Sequence, residues 1–455
     1  MSLTAVTAPP RSGKTPRTTL AVACAAPLLA LLNYTVPMVT LPETAQALGA
    51  GPTGPAWILN AVSLGLAALL LVAGAIADDH GRRRTFVAGT ATLAAGGVVA
   101  ALAPTTLVFV LARLVQGGAS AALLAASLGI IGHAFPAGHD RVRATGLYGA
   151  MLGLGVALGP LVSGVLATAA SWRGVYWTVA LSAAVLAVVA HRSLPESRAA
   201  EPRRVDVPGV VTLSLGLAAL IAGVIEGRLG WGRPVVLWAF AAAVVLLAAF
   251  AVIETRRREP MLDMGLFRRP PFLVATGGAL VTGFALIGLM SYLPTVLQVT
   301  RGMTPLGSAA LFSIWSGLSF VAALQARRFL PHARARLALG LALSGVGTPV
   351  LLGLVTGWSW WKVVLGLAVS GVGSGLVNAA LTHLAIESVP QHRVSMGSGA
   401  NNTARYVGSS LGVAMIAAIV GGHGAAGGID IGIAVCSALM LLTALAVALV
   451  RTHRA

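Results

Sequence analysis

Two arginines, Arg113 and Arg405, stand inside otherwise apolar runs. Amide side chains lie at helical spacing from each: Gln116 three positions after the first, Asn401 and Asn402 four and three before the second. A guanidinium removed from water must find acceptors, so a charge at that depth points to a buried path for protons or solute. Snorkelling to the membrane interface is the other reading of Arg113. Asn33, in the first apolar run, offers a further amide. The chemistry these groups supply is hydrogen bonding and charge, not bond making.

Titratable side chains are placed differently. None of the 13 acidic residues lies near the centre of an apolar run. Glu226 and Asp430 fall near one set of run ends, and Asp206, Glu254 and Glu387 near the other. A proton carrier is therefore sought among these terminal carboxylates or at His383, a side-chain type that titrates near neutral pH. A hydrogen-bonded histidine near an interface is the alternative. Catalytic groupings are missing. The nine histidines are scattered without H-x-x-x-H or H-E-x-x-H spacing, and no G-x-x-x-x-G-K-[ST] occurs. Gly371, Gly373 and Gly375 sit within an apolar run and read as helix packing. Cys24 and Cys436 lie in apolar runs, which indicates neither a disulfide nor a metal cluster. The expectation is no enzyme, no metal and no cofactor.

The elements that position these residues follow from composition. At 57% hydrophobic and 10% charged, 455 residues carry more apolar side chain than a water-soluble core accommodates. Breaking the chain at charged or Gly/Pro-rich interruptions gives apolar segments at 20–42, 56–77, 85–103, 107–132, 144–169 and 174–191, then 207–225 and 235–254. Six more follow at 272–297, 306–324, 337–356, 363–385, 396–420 and 429–450. Each is about 20 residues, the length of a helix across a ~30 Å hydrocarbon core.

Arginine tests the assignment. Of 31 Lys and Arg, 24 fall in the termini and the loops after even-numbered segments, 5 in the opposite loops and 2 within segments. By the positive-inside rule both termini are cytoplasmic. The +18 net charge is thus spread as topological markers over short stretches, which excludes a nucleic-acid surface. The expected partners are the lipid bilayer and a small-molecule solute. The expected fold is an all-α polytopic membrane protein of fourteen spans. It divides into a cytoplasmic tail (1–19), a six-helix bundle (20–191), linkers with two inserted helices (192–271), a second six-helix bundle (272–450) and a short tail (451–455).

Local patterns refine this. Gly74, Ala75, Ile76, Ala77, Asp78, Asp79, His80, Gly81, Arg82, Arg83 and Arg84 fill the second loop. Glycines at both ends would let helix ends approach, and Asp78 could pair with arginine to latch one conformation. A plain charged loop is the alternative. Gly155, Gly159 and Ser163 recur every four residues, with Pro160 and Gly164 beside them, giving a small-residue stripe with a local bend. Packing alone would account for such a stripe.

The second loop resembles G-x-L-a-D-r-x-G-r-k, the cytoplasmic gate signature of the major facilitator superfamily, with Gly74, Asp78, Gly81, Arg82 and Arg83 as its gate residues. Arg113, Gln116, Gly117 and Gly118 resemble that family's R-x-x-Q-G element, associated with proton relay. Gly155 to Gly164 is similar to G-x-x-x-G-P-x-x-G-G of the antiporter branch, which marks exporters. The span with Gly397, Gly399, Asn401, Asn402, Thr403, Arg405, Gly408 and Gly412 resembles the thirteenth helix of the fourteen-spanner drug/proton antiporters. So do Leu41–Pro42, Trp57 to Leu64, and Glu226, Gly227, Trp231 and Gly232, so the resemblance runs the full chain. It implies a major facilitator fold in the cell membrane and efflux of a drug, antibiotic or metabolite by alternating access, with a proton as counter-ion. Uptake or facilitated transport, or a non-enzymatic receptor, are the alternatives. The chain departs from the pattern at Asp79, where a basic residue is usual, at Ser163 for glycine, and at Asn33, where an aspartate is common. With Asn33 neutral and two arginines positive, the cavity favours neutral or anionic solutes.

Overall fold

The computed structural model describes residues 16–135, 138–198, 206–257, 260–330, 332–389 and 394–449. Residues 1–15 of the first expected tail, the whole of the second (451–455) and linker residues 199–205 lie outside them. Among the described residues the chain is all-helical, without a strand. In order the helices are α1 (Pro16–Thr35), α2 (Pro37–Ala47), α3 (Gly54–His80), α4 (Arg82–Leu102), α5 (Thr106–Ala134), α6 (His139–Ala169), α7 (Trp172–Ser193), α8 (Val207–Gly227), α9 (Pro234–Arg256), α10 (Pro270–Val281), α11 (Gly288–Arg301), α12 (Pro305–Phe329), α13 (Ala333–Gly347), α14 (Trp360–Glu387) and α15 (Val394–Leu449). A π-helical turn, Thr282–Ile287, joins α10 to α11.

Helix starts follow local chemistry. Proline stands in the first turn of α2, α3, α8, α9, α10 and α12, where its missing N–H costs no hydrogen bond. Asp206 and Thr304 cap α8 and α12 by accepting from the N–H of Gly209 and Gly307 at 2.9 and 3.0 Å. Many buried threonines return their hydroxyls to the carbonyl four positions back, as Thr90 does to Phe86 at 2.8 Å.

Among the described residues twelve helical stretches are long and apolar enough to cross a membrane, against the fourteen segments expected from sequence. Two places account for the difference. Expected span 337–356 is helical only to Gly347, leaving α13 at 15 residues before a 3-10 turn at Thr348–Leu351. Gly345, Gly347 and Pro349 lie where the helix ends. Expected spans 396–420 and 429–450 run together as α15, which would be about 84 Å long if straight. It is not straight. Gly424 leaves the helical region at φ 74°, and Gly428 comes back against Val420 and Ile419.

Burial separates centre from rim. In its most apolar stretch α3 is 78% buried against other helices and α9 only 17%, so α3 is central and α9 faces lipid. The central helices meet through glycine. Gly65 of α3 and Gly117 of α5 lie backbone to backbone, a Cβ on either falling 2.9 Å from the other's Cα. In the antiporter-like stripe Gly155 and Gly159 press on α1 at Leu28, Leu31 and Thr35, while Gly164 presses on α12 at Ala309. Helix α6 therefore lies between α1 and α12, with Pro160 inside it. Gly371 and Gly375 pack on α12, and Gly373 on α13.

Candidate functional site

The crossing of α3 on α5 sets the depth of Arg113, one helical turn before Gly117. Arg113, Gln116 and Asn33 are all completely buried. Gln116 follows Arg113 by three positions and shares its helix face. Helix α1 brings Asn33 opposite. Arg113 donates through Nη1 to Asn33 Oδ1 at 2.6 Å and Gln116 Oε1 at 2.7 Å, and through Nη2 to the Asn33 carbonyl at 2.8 Å. Its Cζ stands 5.3 Å from the centre of the Tyr176 ring, itself edge-on to Phe109 and Trp172. Every acceptor is neutral. The charge is held by amide and carbonyl dipoles and a ring face, and snorkelling is ruled out for this side chain.

A second centre forms on α15. Arg405 donates to Asn402 Oδ1 at 2.9 Å and to Asn378 Oδ1 of α14 at 3.5 Å, and lies 5.3 Å from the Tyr406 ring centre. It is only partly buried. Asn401, expected in the same pathway, points elsewhere, its Nδ2 donating to the Ala275 carbonyl at 2.8 Å and stapling α15 to α10. One position apart on a helix turns a side chain by about 100°. The π turn lies against this stretch with Gly283 on Arg405 and Ser409, and Gly288 at the start of α11 lies on Gly412.

The two centres are joined. Tyr34, next to Asn33, shares a 2.8 Å hydrogen bond with Ser409, and its ring meets Tyr406 edge-on at 5.8 Å. From Arg113 the contacts run through Asn33, Tyr34 and Tyr406 to Arg405. Tyr34, Tyr176, Asn378, Tyr406 and Ser409 were missed from sequence. A buried Asn60 in α3, both amide atoms unpartnered, was missed as well. An aromatic or a serine in an apolar run reads as packing, and only partners distant in sequence mark these residues. Further unpartnered buried donors are Asn33 Nδ2, Gln116 Nε2 and the Nε of both arginines. Such groups ask for an acceptor from water or solute.

At the gate-like segment the expected loop is almost entirely helix. α3 runs to His80 and α4 begins at Arg82, and the turn is confined to Gly81, whose φ of 107° few side chains adopt. Gly74 makes no close approach, a Cβ there meeting nothing within 4 Å, which corrects that part of the expectation. The side chain of Asp78 lies outside the described ones. Glu196, from the linker, takes the segment's charge: it accepts from the Arg83 N–H at 3.2 Å and stands 3.8 Å from the Nε of both Arg83 and Arg84. The Arg82 N–H donates to the Ser197 carbonyl at 2.9 Å, and its side chain lies along Gly129.

The expected titrating groups are dispersed. Glu226 accepts from the Trp57 indole at 3.2 Å, joining two patterns 169 residues apart. His383 pairs with Glu387 at 3.1 Å, and Asp430 accepts from the Gly353 N–H at 3.0 Å. None of them touches either arginine centre in the contacts described. A cavity of about 610 Å³ opens where α1 and α6 begin, lined by Arg17, Asp140 and Arg143 among others. It does not reach the arginine centres.

Comparison with known proteins gives these features a context. The family model for the Major Facilitator Superfamily matches residues 23–413. The puromycin resistance protein of Streptomyces alboniger is 32% identical over 419 residues, spanning 90% of this chain and 82% of that one. The multidrug resistance protein Stp of Mycobacterium tuberculosis is 28% identical over 397 residues, spanning 86% and 73%. Among solved structures, a POT family transporter in complex with a thioalcohol-conjugated peptide superimposes with a TM-score of 0.71, covering 93% of this chain and 94% of that one, at 15% identity.

Proposed function

We propose that this chain, which belongs to the Major Facilitator Superfamily, is a secondary transporter that exports small organic molecules such as antibiotics from the cell. The carrying observation is the contact chain from Arg113 through Asn33, Tyr34 and Tyr406 to Arg405, polar groups held at cost inside apolar helices. Its relatives' names, resistance to puromycin and to multiple drugs, support the direction.

In this reading the chain crosses the plasma membrane fourteen times: α15 counts twice because of its return at Gly424, and the short α13 with its 3-10 turn supplies the remaining span. Both termini are cytoplasmic. Two six-helix bundles, 20–191 and 272–450, rock about the Tyr34–Ser409 contact, with α8 and α9 inserted between them in sequence. The segment from Asp78 to Arg84 latches one state, and Glu196 holds its arginines. Substrates are neutral or anionic, because the centres offer two guanidiniums and unpartnered amides with no carboxylate facing them. A proton is the counter-ion, its carrier among Glu226, His383, Glu387 and Asp430.

Accumulation of candidate antibiotics in cells with and without an uncoupler tests export and coupling together. Expression should lower accumulation, and the uncoupler should restore it. Unchanged accumulation of neutral, anionic and cationic compounds alike would sink the proposal, and selective efflux of cationic dyes would reverse the charge preference. Asp78→Asn should abolish export with expression intact. Tags after residues 230 and 263 should report opposite membrane faces.

A further inference from the structure

Away from both arginine centres, at the open end of the α8–α9 hairpin, two carboxyls meet. Asp206 precedes α8 and Glu254 lies in the last turn of α9, 5% and 2% exposed respectively. One oxygen of each is spoken for. Asp206 Oδ1 accepts from the Gly209 N–H at 2.9 Å and from Arg257 Nη2 at 3.1 Å, and Glu254 Oε2 accepts from the Leu262 N–H at 3.1 Å. The remaining oxygens, Asp206 Oδ2 and Glu254 Oε1, are buried without a hydrogen-bond partner among the described residues. Both face one point: a Cβ on Gly209 would stand 2.6 Å from the first and 3.0 Å from the second.

An ionised carboxylate only accepts hydrogen bonds, so two of them turned toward each other leave both oxygens unsatisfied and the like charges opposed. The charged neighbours do not remove the conflict. Arg257 serves the far oxygen of Asp206, Arg256 is exposed, and Asp263 turns its Oδ1 to the Gly265 N–H at 2.8 Å. Two further helices pack along α8: α3, which Asp79 and His80 end, and α15, whose first charged residue among the described ones is Arg405. One guanidinium against two carboxylates leaves a net negative charge in a buried place. A single proton resolves both problems, supplying the missing donor and cancelling the excess charge.

We propose that Asp206 and Glu254 hold one proton between them, forming a proton-binding site that clasps the start of α8 to the end of α9 and, through Leu262, to the segment leading into α10. Separated carboxyls would not retain that proton. The clasp is therefore complete while the shared proton is held and is lost when rising pH removes it.

Infrared spectra of the purified full-length protein, recorded as the pH is raised, test this. A protonated-carboxyl stretch should be present in the wild type and absent from Glu254→Gln, in which an amide N–H replaces the shared proton. The melting temperature of the wild type should fall over the same pH interval, and that fall should vanish in Glu254→Gln. Asp206→Asn gives the same two readouts should the first variant fail to fold, and the wild-type infrared titration needs no variant. A wild type with no protonated-carboxyl band, or a pH slope of melting temperature that both amide variants retain, overturns the proposal.

Discussion

Arg113 and Arg405 are the same residue in similar apolar surroundings, yet their sites differ in kind. Arg113 is fully buried and makes three hydrogen bonds of 2.6–2.8 Å, two of them to Asn33 on another helix. Arg405 is partly exposed, with one bond of 2.9 Å within its own helix and one of 3.5 Å to α14. A closed centre fixes helix positions. The open one is held less tightly, which in the proposed transporter fits a group that meets a substrate as it arrives and leaves. The Tyr34–Ser409 bond joins the two.

The contrast is broken most directly by alanine. Arg113→Ala strands Asn33 and Gln116 in a cavity, and each lost charge-assisted bond is worth about 1.5–3 kcal/mol. Efflux should be abolished and the melting temperature of the purified protein should drop by several degrees. Arg405→Ala should also abolish efflux, with a much smaller thermal shift. Equal shifts would show that the two centres do not differ. Lysine sharpens the same point, because an ammonium cannot span the fork of acceptors that a guanidinium reaches. Arg113→Lys should lose at least about tenfold in transport, the equivalent of roughly 1.4 kcal/mol. Arg405→Lys should keep most of it, as read by initial efflux rates. Tyr34→Phe removes one bond of about 1 kcal/mol between the centres and should change efflux a few-fold with little loss of stability. Smallest is Glu226→Gln, which still accepts from the Trp57 indole: efflux should stay within about twofold, since a neutral acceptor replaces a charged one in a partly exposed pair. A large loss there would instead identify Glu226 as the proton carrier.

Much of this was legible in the chain. Apolar run length gave the helices, because a backbone in lipid must satisfy its own hydrogen bonds and a helix of about 20 residues does so across the membrane. Arg113, Gln116, Asn33, Asn402 and Arg405 stood out because charge and amides are costly in such runs. The glycine stripe at Gly155, Gly159 and Gly164 was legible as helix contact, but its two partners, α1 and α12, were not. Asn401 shows the limit of spacing alone, since its neighbour Asn402 serves Arg405 while it faces α10. The turn at Gly424 falls in the break read between segments 396–420 and 429–450, but the shortness of α13 was hidden. Hydropathy measures how apolar a segment is, not where its helix breaks.

Sequence by itself thus determined a threaded helical membrane protein, the sidedness expected of its loops and the small set of polar residues worth attention. Tertiary structure alone decided which of those residues meet. It turned Asn33 from an isolated amide into the main acceptor for Arg113, gave Tyr34 a partner 375 positions away, and set Asp206 against Glu254. The reason is physical: burial cost is a property of each residue in its own segment, whereas its compensation depends on groups that only the packing of distant helices brings within hydrogen-bonding reach.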